Sequence, residues 1–194
     1  MTVQNIMLMG HPVLMRPSAP VDDPTAPEIA LLIEDMRDTM RAAGGVGIAA
    51  PQIGVGKRVV MFYTPEDGNG GGDSTDEGLR AAITERPLTI LINPEIVALT
   101  DEQRDGWEGC LSVPGLRGVV PRYTHIRYRG LAPDGSAIDR VATGFHAVVV
   151  QHECDHLDGI LYPMRMVDMS TLQYVGAAEG VAVRAPGGET EAAA

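Results

Sequence analysis

The chain of 194 residues is long enough for an ordinary core without disulfides, and its 44% hydrophobic and 21% charged residues fit a globular protein. Its net charge of −11, from 15 basic and 26 acidic residues, argues against nucleic acid as a partner. No apolar run approaches the ~20 residues of a membrane span, and "MTVQNIMLMG" lacks the basic flank of a signal peptide, so a cytoplasmic location is expected, where Cys110 and Cys154 do not form a structural disulfide.

Residues 27–43, "PEIALLIEDMRDTMRAA", read as a helix, with Ile29, Leu32, Ile33, Met36 and Met40 on one buried face and Pro27 in the first turn. Gly44 and Gly45 can stop it. The glycine-rich "GGVGIAAPQIGVGKR" follows, and no helix is expected through Pro51. "RVVMFY" (58–63) reads as a strand, and the acidic, glycine-rich stretch 65–78 as a mobile loop without core residues. "LTILINPEIVALT" holds a buried strand interrupted at Asn93-Pro94. "HIRYRGLAPDGSAIDRVATG" reads as two strands around the turn Pro133-Asp134-Gly135.

"FHAVVVQHECDHLDG" is read as a second helix despite its three valines, because of its histidine spacing, with Gly159 as the stop. After Met169 the pattern weakens, and "APGGETEAAA" reads as disordered. The order of elements predicts an α+β fold: antiparallel or mixed β-sheets packed around a central metal-binding helix, plus an N-terminal helix. Residues 1–169 are expected to form one catalytic domain, and 170–194 a C-terminal extension.

The chemistry starts at "QHECDHLDG" (151–159). Each helical residue turns by about 100°, so His152 and His156 lie on one face, roughly one turn apart, and can point two imidazoles at one ion. Glu153 projects beside that pair, where a carboxylate can serve a metal-bound water without ligating the ion. Two histidines do not complete a catalytic site, which wants three protein ligands and an open position. No third histidine follows; Glu179 is the first downstream Glu and lies in weak sequence. Upstream, Cys110 in "GWEGCLSVPG" sits among small, turn-forming residues, where a thiolate can reach out of a strand end or loop; its alternative is a buried small hydrophobe. Cys154 lies about 200° around the helix from His152 and is read as packing.

Three separated words together resemble the peptide deformylase family: "GVGIAAPQ" (45–52), "EGCLSVP" (108–114) and "QHECDHLDG" (151–159). The flanking "GHPVLMRPSAPV" and "LINPEIV" are similar to family sequence as well, and the resemblance spans roughly residues 6–168. It implies that Cys110, His152 and His156 bind one catalytic metal per chain. The family uses iron(II), so Fe²⁺ is expected, with Zn²⁺ or another divalent ion able to replace it in a purified sample. It implies an amide hydrolase that removes the formyl group from formyl-methionine at the start of new polypeptides, and hence transient proximity to the ribosome. Neither direct nucleic-acid binding nor a membrane is expected. Glu153 is then the general base and acid. Gln52 and the backbone N–H of Leu111 are the donors to the developing oxyanion.

Several residues around these words have weaker assignments. "GVGIAAPQ" follows a helix, not a strand, so it lacks the context of a dinucleotide loop. Gly45 and Gly47 leave room for an extended peptide, and Val46 and Gly47 can hydrogen-bond it as an added strand. Phe145, Val148 and Val149 share the His152 face, while His146 points away, so the three predict an apolar wall for a methionine side chain. Val148 departs from the arginine often found there in the family, in "A-R-x-x-Q-H". Glu108 and Arg117 flank Cys110 as candidates for fixing its loop, and Asp155 for orienting a neighbour. The competing functions are an H-E-x-x-H metallopeptidase and a non-catalytic metal-stabilised binding module.

Overall fold

The computed structural model describes residues 2–63 and 87–176. The stretch 65–78 and the terminal "APGGETEAAA" lie outside the described residues. Helix α1 (Pro27–Ala42) buries Ile29, Leu32, Ile33, Met36 and Met40, the five residues its periodicity picks out, and starts with Pro27 at its N-terminus. Helix α2 (Gly144–Leu157) is buried on nearly every side, from Phe145 and Val149 to Cys154, Asp155 and His156. A helix enclosed all round shows no amphipathic stripe, and so its valines mimic a strand. At its end, Gly159 (φ +76°) turns the chain, and a Cβ there would meet the backbone N of Arg16 at 2.6 Å. This glycine thus ends the helix and lets the N-terminal segment cross it.

Eight strands among the described residues form two antiparallel sheets. The first has the order β1 (Gly47–Ala49), β2 (Val59–Tyr63), β3 (Leu88–Ala98), β6 (His125–Leu131) and β7 (Ala137–Thr143). The second has the order β4 (Gln103–Cys110), β5 (Val113–Tyr123) and β8 (Gln173–Tyr174). The main core lies between the first sheet, α1 and α2. A smaller core of Val113, Val120, Leu161 and Tyr162 supports the second sheet, with Cys110, Leu116, Met166 and Leu172 packed against it. The fold is α+β, with the predicted central helix and N-terminal helix. No helix among the described residues is long and apolar enough to cross a membrane.

Two local readings differ from the structure. Pro51 does not exclude a helix: Ala50–Ile53 form a 3₁₀ turn with Pro51 in its first turn, where the missing N–H needs no partner. Asn93-Pro94 bulges β3 rather than ending it; Asn93 takes φ +50° and its amide clamps both the N–H and C=O of Val21, at 2.9 and 2.8 Å. The sequence after Met169 continues as ordered structure through a 3₁₀ turn (Met169–Thr171) and β8, which pairs with β5.

Candidate active site

Helix α2 brings His152, Glu153 and His156 to the edge of the second sheet, where β4 ends at Cys110. A register shift falls between Gly109 and Cys110, and Cys110 pairs with Val113 at the closed end of the β4–β5 ladder. One donor atom from each of Cys110, His152 and His156 lies within 4.8 Å of the others. The Cys110 Sγ is 3.3 Å from His156 Nε2, and the imidazole rings sit 5.0 Å apart at 82°. The Ser112 N–H and the Gln52 side-chain amide approach the sulfur at 3.4 and 3.5 Å. Cys154 is buried and shares none of these contacts.

Behind His152 stands a network that the sequence reading gave only in fragments. His152 Nδ1 lies 2.7 Å from Glu108 Oε2. The Arg122 guanidinium donates to both oxygens of Glu108, at 2.7 and 3.0 Å, and to Asp155 Oδ2 at 2.6 Å. Arg165 closes the far side of Asp155 at 2.7 Å. Tyr162 stacks on His152, centroids 6.4 Å apart. Arg117 packs 4.7 Å from the Trp107 ring centre, one strand away from Glu108. Arg122 was missed, although it alternates with buried Gly118 and Val120 along β5, a period-two signal present in the sequence.

Burial opposes the charge on Glu108, but hydrogen bonds and charges from His152 and Arg122 outweigh it and hold its pKa near 2. Glu108 is therefore an anionic acceptor, His152 Nδ1 is the donor, and Nε2 is left to face the cluster. Burial also disfavours a charged His152, yet its contacts with Cys110 and Glu108 push its pKa well above the usual value. Burial, with the charges of His152 and Arg122, drives His156 well below it. Positive charge is thus favoured on His152 and disfavoured on His156. Two imidazoles and a cysteine sulfur converging there fit a borderline-soft divalent ion better than Mg²⁺ or Ca²⁺.

Glu153 is buried, and its Oε2 has no hydrogen-bond partner among the described residues. Burial raises its pKa to about 7, with His152 lowering it and Glu108 raising it. A Cβ on Gly47 would collide with the Glu153 carboxylate. Gly47 therefore also clears space for that carboxylate, a role its place in a glycine-rich stretch did not reveal. Gln52 is fixed from both ends: its Oε1 accepts from the Ala49 N–H at 2.8 Å, and its Nε2 reaches Ser112 Oγ at 3.2 Å.

A cleft of about 440 Å³ joins these groups. Gln52, Cys110, Leu111, His152 and Glu153 line it, as do Val46, Gly47, Phe145, Val148 and Val149. His146 turns to Phe62 and Tyr128 instead. The cleft also has lining residues that sequence reasoning did not select, among them Leu116 and Val175.

Residues 3–171 match the family model described as polypeptide deformylase. The chain belongs to that family. As a peptide deformylase it is a hydrolase that removes the N-formyl group from nascent polypeptides. Peptide deformylase 2 of Ralstonia nicotianae is 56% identical over 168 residues, 87% of this chain and 89% of that protein. A class I type b peptide deformylase from Acinetobacter baumannii, solved with Met-Ala-Ser bound, is similar at TM-score 0.71 and 33% identity, covering 85% of this deformylase and 99% of that chain. The Ehrlichia chaffeensis peptide deformylase in complex with actinonin gives TM-score 0.74 at 31% identity, covering 88% and 92%.

Proposed function

We propose that Cys110, His152 and His156 hold one Fe²⁺ ion, and that the enzyme acts in the cytoplasm on formyl-methionyl polypeptides near the ribosome. The observation that carries this reading is the convergence of three donors of the right chemistry next to a buried carboxylate whose pKa is raised to about 7. When bound, the ion supplies Lewis acidity and lowers the pKa of water. The thiolate favours iron or zinc over harder ions.

Glu153 holds and moves the proton. Its carboxylate takes one from the attacking water and delivers it to the departing amine, a task suited to a pKa near neutrality. Gln52 Nε2 and the Leu111 N–H donate to the formyl oxygen as it becomes negative. The edge of β1 away from β2 has no strand paired to it among the described residues. An extended substrate adds there, hydrogen-bonding Val46 and Gly47. Its methionine side chain lies against Phe145, Val148 and Val149. Residues 1–169 form the catalytic unit and 170–194 an extension, of which 170–176 closes the second sheet.

The test is an anaerobic assay on formyl-Met-Ala with metal analysis of the same sample. Release of formate with about one iron per chain is expected. A metal-loaded protein that leaves the formyl peptide intact would refute the reading.

A further inference from the structure

The two donors assigned to the oxyanion belong to different sheets. Gln52 follows β1 of the first sheet, in the turn Ala50–Ile53, while Leu111 lies between β4 and β5 of the second. No strand pairs one sheet with the other among the described residues. The N-terminal segment ties them instead. The Met7 N–H donates to the Gln52 carbonyl at 2.8 Å, and the Met9 N–H donates to the Ser112 carbonyl at 2.8 Å. Ser112 directly follows Leu111 and is fully buried. Its Oγ accepts from Gln52 Nε2 at 3.2 Å, and its N–H faces the Cys110 sulfur at 3.4 Å.

These ties are made by backbone, since the side chains of Leu8 and Met9 are exposed at 54% and 51%. None of residues 7–9 lines the cleft. The segment ends in a turn, where the His11 N–H donates to the Leu8 carbonyl at 3.0 Å. Gly10, at φ +99°, takes the left-handed third position of a type II turn, and Met9 takes the second, which suits proline. We infer that Met7–Met9 is a backbone strap that fixes the spacing of the two oxyanion donors, with Met7, Met9 and Ser112 as positioning residues. Loosening the strap moves Gln52 relative to Leu111 while the metal ligands and the cleft walls stay in place. This rests on the oxyanion assignment proposed above.

The test is Met9→Pro in the full-length, metal-loaded enzyme, a change that suits the turn and deletes one strap hydrogen bond. On formyl-Met-Ala, kcat should fall about tenfold, with KM within about twofold of the wild type and metal content unchanged. Met9→Ala keeps the N–H and should restore kcat to within about twofold. In a Gln52→Glu background, where the positioned donor is already gone, Met9→Pro should cost less than about threefold. Met7→Pro removes the other bond and gives the same reading if Met9→Pro does not fold. The strap is refuted, while the deformylase reading stands, by a wild-type kcat in Met9→Pro or by an equal loss in Met9→Ala. An undiminished loss in the Gln52→Glu background also refutes it. If neither proline variant folds, the segment is a folding element and the strap is again refuted. A wild-type rate in Gln52→Glu alone would overturn the underlying oxyanion assignment.

Discussion

His152 on α2 meets Glu108 on β4 at 2.7 Å, so a strand residue sets the tautomer of a candidate ligand on the helix. Arg122 locks Glu108 in turn, with two hydrogen bonds to its carboxylate. Groups that orient a metal-bound histidine commonly contribute 10–100-fold to metal affinity. Glu108→Gln should therefore weaken metal binding by about that range, measured by competition with a chelator. The folded state should persist, checked by thermal melting with metal saturating. Unchanged affinity would show that the contact does not tune the site.

Gly47 offers a steric test of Glu153. A Cβ there would run into the Glu153 carboxylate, so Gly47→Ala must displace one or the other. Misplacing a reacting group by about 1 Å can cost about 10²-fold in rate. We expect kcat to fall by about that much while metal content stays at the wild-type level. Wild-type kcat would mean that the carboxylate has room to move without consequence.

Gln52 has separable duties. Its Oε1 holds the Ala49 N–H, and its Nε2 faces the cleft side at Cys110 and Ser112. Gln52→Glu keeps the acceptor and removes the amide donor. Loss of one oxyanion donor commonly costs about 10²–10³ in kcat. A loss of that size with a wild-type melting temperature is the expected outcome. A fall in stability without a fall in kcat would assign Gln52 to the fold alone.

His146 sets a pH dependence of stability away from the metal centre. Burial, assisted by the charge of Arg140, lowers its pKa from 6.5 to about 4. The folded state thus resists protonation more than the unfolded chain. Its contribution is complete above pH 6.5 and is lost as pH falls from there towards 4. Allowing for its partial exposure, the loss is about 1–2 kcal/mol. Urea unfolding at pH 7.5 and 5 should show this loss in the wild type and a smaller one in His146→Phe. Equal losses in both would remove His146 from the pH response.

Much of this was legible because it is local. The α1 stripe, the strand at 58–63, the turn Pro133-Asp134-Gly135 and the i, i+4 histidines each depend on neighbours in sequence. The β4–β5 hairpin was not legible. Its strands carry Gly106, Gly109, Gly115, Gly118, Pro114 and Pro121, which weaken the alternation that marks a strand.

The support behind the metal site was hidden for a different reason. Glu108, Arg122 and Asp155 come from β4, β5 and α2, and only folding brings them together. From sequence, Glu108 and Asp155 could be singled out as candidates for fixing their neighbours, but nothing linked either to Arg122. Val175 was hidden in the same way, since its place in the cleft depends on β8 pairing with β5.

Glu153→Ala is the most direct test of the catalytic reading. The variant should be prepared anaerobically, its iron counted, and kcat measured on formyl-Met-Ala in the same sample. The expected result is about one ion per chain with kcat lowered by about 10²–10⁴-fold. Full metal content with a wild-type rate would contradict the role of Glu153 as the proton carrier of this site.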